Sequence, residues 1–453
     1  MQNKGISRRD SLKLAGGLGA SLVGLSLPAL AQNGPSLEAG SGENVFFKGW
    51  QFRTDLVEQN VARYNSELKG KVQYQTVAGD YPSVMQNYLI TGAEVDVLYG
   101  NPSQAVRYLE AGWLSPADDL PNFHDIVDDM YPNIRDAWSY KGKLMGLSYF
   151  VSNRGVVHTN MARFLESGLT EADLPKNWPE LYQVLYKLRD RGQKQPFLPH
   201  WFNEWFGIGW GFAFEVMNRG GVVADPETHE PKLTDNGPAA ETLSDWKRLW
   251  KDGFVSEEVL TYNEAAYTGA FRSGRFVMSP QQSYDLKLFN TPGNSPAAGK
   301  ISFLPYQGQN WGMIDSAMYL MSTRKRSAGA TDDVKRFLSW YGYKDQKGAY
   351  YVADKFMKES MLFSAYKGVM ESAGTAETIR SSLARDGDFE RLLEVYKHAD
   401  YPKGIFNVVW SEEYNAWVKE KLSTFLLNDL DIKATIKAMN SKMDELNEKY
   451  RGK

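Results

Sequence analysis

The chain has no cysteine in 453 residues. That excludes a disulfide framework, a thiolate nucleophile, a Cys-based metal site and a cysteine-attached lipid anchor. Beyond residue 31 no apolar run reaches 18 residues, so nothing there is long enough to span a bilayer. The five histidines (His124, His158, His200, His229 and His398) show no H-x-x-x-H or paired spacing, which argues against a metal centre. G-x-S-x-G, a P-loop and G-x-G-x-x-G are missing too. Gly207-Ile208-Gly209-Trp210-Gly211 lacks the strand–turn–helix context and the final glycine. A glycosidase would need two carboxylates about 5–10 Å apart, for which Asp80 and Glu204 are available, but no specific motif accompanies them. The expectation is a non-enzyme with no catalytic residue, metal or cofactor.

What is present begins at the N-terminus. Ser7-Arg8-Arg9-Asp10-Ser11-Leu12-Lys13 precedes a small-residue, mildly apolar run from Leu14 to Leu27, and Ala29-Leu30-Ala31 supplies an A-x-A cleavage pattern. This resembles a twin-arginine export signal over residues 1–31, with Ser11 where such signals often carry Phe. Four glycines in the run disfavour a core helix. Residues 32–42 read as a flexible Gly/Ser/Pro-bearing leader. An exported, unanchored chain is expected in a bacterial periplasm. Cleavage removes Lys4, Arg8, Arg9 and Lys13 and one acid, Asp10, taking the formal charge from −3 to −6. That balance, without basic blocks, argues against nucleic acid or an anionic membrane as partner.

The mature length exceeds the ~250–300 residues at which single cores stop growing, so two lobes are expected. Asn44–Lys48, Lys71–Val77 and Val95–Tyr99 read as strands. Helices starting near Thr54, Pro82 and Pro102 alternate with them. This β-α-β-α-β-α rhythm predicts a parallel sheet covered by helices, with ligands beyond the C-terminal strand ends. Those ends carry Trp50 and Gln51, Asp80 and Tyr81, and Asn101. Asp80 and Asn101 also sit where helix N-caps belong, ahead of Pro82 and Pro102, and the two roles are compatible. Further on, Tyr140–Leu147 reads as a hairpin, Ser148–Asn160 as an extended stretch, Arg275–Ser279 as a strand, and the chain after Asp332 as mostly helical.

Aromatics make up 13% of the chain, with 13 Trp and 25 Tyr, more than an aliphatic core explains. The segment from Pro199 to Gly211 concentrates Trp201, Trp205, Trp210, Phe202 and Phe206 beside Asn203 and Glu204. Sugars present apolar C–H faces ringed by hydroxyls, and a site for them needs aromatic platforms edged by amide, carboxylate and guanidinium groups. Trp201 and Trp205 are the candidates here, each with a core role as the alternative.

Three stretches carry a family resemblance. Gly92–Tyr99 with Tyr108–Leu120 matches a "DV" strand followed by a "G-x-L-x-P-L-D" element. Tyr140–Asn160 matches "Y-x-G-K-x-Y-G-L-P-Y" and a strand ending in "TN", with Ser148 in place of Pro. Ala265–Met278 matches a helix with "F-x-x-G-x-x-A-M". Together they resemble extracellular solute-binding protein family 1, the sugar ABC-transporter binding proteins that include maltose-binding protein.

The resemblance implies a two-lobed type II periplasmic binding protein fold, each lobe a mainly parallel sheet with flanking helices. The N-terminal lobe would comprise 43–150 plus 313–352 and the C-terminal lobe 155–302 plus 356–453. Hinge crossings would fall at 151–154, 303–312 and 353–355. It further implies a monomer that captures a carbohydrate or glycoside by lobe closure and hands it to ABC permease subunits, after export by the twin-arginine machinery. By the same resemblance Gln281, Gln282 and Tyr284 fall in a ligand-contacting loop, Trp311 and Asp315 at the re-entry to the first lobe, and Trp410 at a stacking position. Tyr149, Asn153 and Arg154 lie at the first crossing. Arg154 is open to two roles, clamping an anionic or polyhydroxyl group or forming a hinge salt bridge. A sulfonated or phosphorylated sugar, a polyol or a polyamine stands as the alternative ligand.

Overall fold

The computed structural model describes residues 40–451, so the export signal and most of the leader lie outside the described residues. The first three strands form as their patterns predict. β1 (Val45–Gly49) alternates buried and half-buried residues, and β2 (Val72–Thr76) and β3 (Val97–Gly100) flank it in parallel. Helices α1 (Thr54–Leu68), α2 (Tyr81–Thr91) and α3 (Pro102–Glu110) connect and follow them. β4 (Leu114–Ser115) and a small hairpin, β5 (Ser139–Tyr140) with β6 (Lys143–Leu144), precede β7 (Leu147–Asn160), a 14-residue strand.

β7 organises both lobes. Its first half pairs antiparallel with β10 (Met313–Ser322), which pairs on its other edge with β3 and β4. Its second half runs between β8 (Met278–Gln282) and β9 (Ile301–Phe303), with His158 opposite both Ser279 and Phe303. The order β2-β1-β3-β10-β7-β8 is therefore one continuous sheet serving a two-lobed α/β fold. In detail its strands are parallel only in β1, β2 and β3. β8 and β9 both run antiparallel to β7.

The aromatic excess is largely a core property. Phe47 alone meets the rings of Tyr74, Tyr99, Tyr319, Phe337 and Tyr341 at 5.2–6.2 Å. Seven of the tryptophans are among the largest fully buried side chains. In the second lobe the helices Trp178–Asp190, Ile208–Asn218 and Pro238–Lys251 meet at the buried Glu215. Its carboxylate accepts from Tyr182 Oη (2.9 Å), Trp246 Nε1 (2.8 Å) and Arg219 Nη2 (2.9 Å). Burial raises the Glu215 pKa, and Arg219 acts against that rise.

Segment 361–366 packs beside β7 and residues 130–131: Val151 bridges Phe363, Met130 bridges Tyr366, and Tyr131 N donates to Ala365 O.

Candidate ligand-binding site

A cavity of about 380 Å³ lies where the first-lobe strand ends face the second-lobe aromatic segment. Parallel strands align their carboxyl ends on one edge, so Trp50 after β1, Asp80 and Tyr81 at the start of α2, and Asn101 at the start of α3 share one wall. Tyr81 is fixed there: its Oη receives Tyr99 N at 2.9 Å and donates to Tyr99 O at 3.1 Å. Asn101 is a helix cap as well, accepting from Gln104 N at 2.9 Å within a capping box. Asp80 takes the N-cap position of α2, where its carboxylate accepts from Ser83 Oγ.

The floor comes from β7 and β10, with Phe150, Arg154, Asp315, Ser316 and Ala317 lining it. The opposite wall is Trp205, Phe206 and Trp210, with Glu264 and Tyr284. Trp205 stands edge-on to Phe206 (4.8 Å) and to Trp210 (5.2 Å).

Arg154 is the centre of the polar chemistry. Its Nε donates to Asp315 Oδ2 at 2.9 Å and its Nη2 to Glu264 Oε1 at 3.0 Å. Its guanidinium also lies over Phe206 at 4.6 Å. Burial opposes the charge, but Asp315 and then Glu264 outweigh it and raise the arginine pKa further. Neighbours feel this cluster. Burial, then Glu264, pushes Asp285 up to about 8, and the same two causes raise Glu204. Burial, then Arg154, holds His200 well below the usual histidine range.

Of the sequence candidates, the cavity brings together Trp50, Asp80, Tyr81, Asn101, Arg154, Trp205, Tyr284 and Asp315. Gln282 stands just behind them, donating to Asp315 Oδ2. The rest lie elsewhere. Gln51 is exposed beyond Trp50. Tyr149 is stacked on Tyr99 at 4.5 Å inside the core. Asn153 and Gln281 are buried, each one residue along its strand from a side chain turned toward the site, and strand alternation sends them away. Gln281 and Gln282 were expected in a loop after a strand at 275–279. That strand instead starts at Met278, beyond the turn at Gly274, and includes both glutamines.

Three tryptophans belong to cores. Trp201 packs on Trp246 at 5.1 Å and Trp311 on Trp178 at 5.4 Å. Trp410 packs on Tyr414 at 5.8 Å and donates to Asn447 Oδ1 at 2.9 Å.

Sequence reasoning did not select Phe150, Phe206, Trp210, Gln104 or Glu264 as site residues. Phe206 and Trp210 lay in the flagged aromatic segment, whereas Glu264, in the first turn of the helix Glu264–Arg272, looks like an ordinary acidic residue favouring the helix dipole. A larger hollow of about 450 Å³ lies between 220–226 and 400–405. Small and aliphatic side chains dominate its lining. Tyr401 is its one aromatic, and its charges are the Asp136–Lys403 pair and Asp400. Of these two, the cavity at the strand ends combines aromatic faces with convergent donors and acceptors.

A two-lobed α/β fold with an aromatic, hydrogen-bonding cavity between its lobes defines a solute-binding protein. The family model for bacterial extracellular solute-binding proteins matches residues 53–347, and the chain belongs to that family. It is similar to the mannitol-binding protein of Pseudomonas aeruginosa, 25% identical over 343 residues that cover 70% of this chain and 71% of the relative. Among solved structures, it resembles maltose-bound MalE3 of T. maritima with a TM-score of 0.70 at 16% identity, over 89% of this chain and 99% of the other. It also resembles a solute-binding protein of Agrobacterium vitis with bound D-mannitol, with a TM-score of 0.66 at 14% identity, over 90% and 99%.

Proposed function

We propose that this protein is the solute-capturing component of an ABC importer and that its ligand is a sugar or sugar alcohol held between the lobes. The observation that carries this is the Glu264–Arg154–Asp315 network set against the Trp205–Phe206–Trp210 wall. Carboxylates accept from ligand hydroxyls, the guanidinium donates to them, and ring faces cover the C–H surface. The site acts by binding alone, with no chemical step. The relative that binds mannitol and the neighbours with maltose and D-mannitol support the same class.

The lobes divide at 151–154 on β7 and at 303–312. The third crossing falls beyond residue 366 rather than at 353–355, a placement supported by the Val151–Phe363 and Met130–Tyr366 bridges. Closure over the solute creates the form that permease subunits recognise. The protein works as a periplasmic monomer, exported folded through the twin-arginine route; Lys-Lys in place of Arg8-Arg9 is expected to block secretion. The excess of cavity carboxylates over Arg154 favours a polyamine as the second reading.

A thermal-shift screen of hexoses, disaccharides, hexitols and polyamines decides between them. A ligand at about 100 Kd adds about 2.7 kcal/mol. A midpoint raised by a sugar or hexitol supports the proposal. A midpoint raised only by polyamines or peptides overturns it.

A further inference from the structure

Resting on the polyhydroxyl reading above, we propose that Glu264 and Asp315 set the charge of the solute. By occupying Arg154 from two sides, they reserve the cleft for an uncharged polyol or sugar and turn away sugar acids and sugar phosphates.

A guanidinium at the wall of a ligand cavity is ordinarily a receptor for carboxylate or phosphate, which it binds through paired N–H donors. In this cleft that capacity is already used. Nε and Nη2 of Arg154 each donate to a carboxylate of the chain, at 2.9 and 3.0 Å, leaving Nη1 outside both bridges. One guanidinium between two carboxylates carries a net negative charge, and Asp80 adds another from the facing wall. Among the described residues lining the cavity, Arg154 is the one cation against Asp80, Glu264 and Asp315.

The other anion receptors such a cleft offers are helix N-termini, and the first-lobe wall presents those of α2 and α3. α2 begins at Asp80, which brings its own carboxylate, and in α3 the Gln104 N–H is taken by Asn101 Oδ1. An entering anion therefore meets repulsion and finds two arms of Arg154 and the Gln104 N–H already engaged. Hydroxyls meet neither obstacle, because they donate to the carboxylate lone pairs and accept from Nη1.

The experiment is calorimetric titration at neutral pH with matched neutral and anionic probes: D-mannitol with D-mannonate, and D-glucose with D-glucuronate. Wild type is expected to bind a neutral member at least 100-fold tighter than its acid. Glu264→Gln and Asp315→Asn each remove one negative charge from beside Arg154 and are expected to cut that ratio tenfold or more. Glu264 is partly exposed, so Glu264→Gln remains informative if Asp315→Asn folds poorly. A wild type that binds polyol and acid alike overturns this proposal alone, as does an unchanged ratio in folded Glu264→Gln. Binding of spermidine, with no response to any sugar, polyol or sugar acid, overturns the polyhydroxyl reading and this proposal with it.

Discussion

Gly155 and Gly312 pack backbone to backbone where β7 passes from one lobe to the other. A Cβ on Gly312 would lie 2.0 Å from the Arg154 carbonyl oxygen, and one on Gly155 would lie 2.9 Å from the Gly312 Cα. Both have positive φ, 91° and 78°. At Gly312 the clashing atoms are all backbone and cannot swing aside, so that position is closed to a side chain. Gly312→Ala is expected to destabilise the protein by at least about 3 kcal/mol. Gly308→Ala is the control: its φ is also positive, at 85°, but a Cβ there meets nothing within 4 Å. It should cost only about 1 kcal/mol for the left-handed backbone. Urea unfolding of the two variants checks this, and equal losses would mean that the close approach is not rigid.

Trp205 and Trp201 separate binding from stability. Trp205 is 41% exposed at the cavity wall, whereas Trp201 is 1% exposed against Trp246. Trp205→Ala is expected to weaken ligand binding roughly 3–10-fold while barely changing the unfolding midpoint. Trp201→Ala should cost about 3–5 kcal/mol of stability. Calorimetry paired with thermal unfolding reads both, and the reverse pattern would move the binding face to the core side of this segment.

That contrast shows what the sequence can and cannot disclose. The alternation in β1 and β2 and the prolines opening α2 and α3 are local signals, so the strand ends with Trp50, Asp80, Tyr81 and Asn101 were legible. Which of two neighbouring tryptophans faces the cleft depends on the helix Pro238–Lys251, whose Trp246 fills the space behind Trp201. Composition and spacing hold no record of that packing. The pairing of Arg154 with Glu264 was equally hidden, because 110 residues separate them and only the packing of the helix Glu264–Arg272 on β8 brings them to 3.0 Å. The direction of β8 also escaped, since an antiparallel return reads much like a parallel one in a short buried strand.

Asp285 gives the protein a pH dependence of known sign. Burial and the nearby Glu264 raise its native pKa to about 8 from an ordinary value of 3.8. Between those values the unfolded chain is ionised while the native carboxyl keeps its proton, so native protein binds more protons. Stability from this group is therefore present below pH 4 and is lost as pH rises toward 8, by up to about 1.4 kcal/mol per unit. Asp285→Asn removes the titration. The stability difference between variant and wild type should then shift in the variant's favour from pH 5 to pH 8. A difference independent of pH would show that Asp285 titrates as an exposed carboxylate.

Arg107 on α3 and Glu412 in the first turn of the helix Ser411–Leu427 form an ion pair, which the proposed division of the chain places between the lobes. Both side chains are partly exposed, so the pair is worth only about 0.2–1 kcal/mol and is screened by salt. Its position makes that small energy informative. A contact made only when the lobes are together stabilises the closed arrangement and not the lobes themselves, and apparent affinity scales with the population of the binding-competent state. Glu412→Gln is therefore expected to weaken ligand binding by no more than about fivefold at low ionic strength, with the unliganded unfolding midpoint nearly unchanged. Half-molar salt should erase the difference, and the exchanged pair Arg107→Glu with Glu412→Arg should restore most of it. Titration calorimetry at two salt concentrations reads these outcomes. An affinity loss that persists at high salt would mean that Glu412 acts through packing and not as a charge closing the cleft.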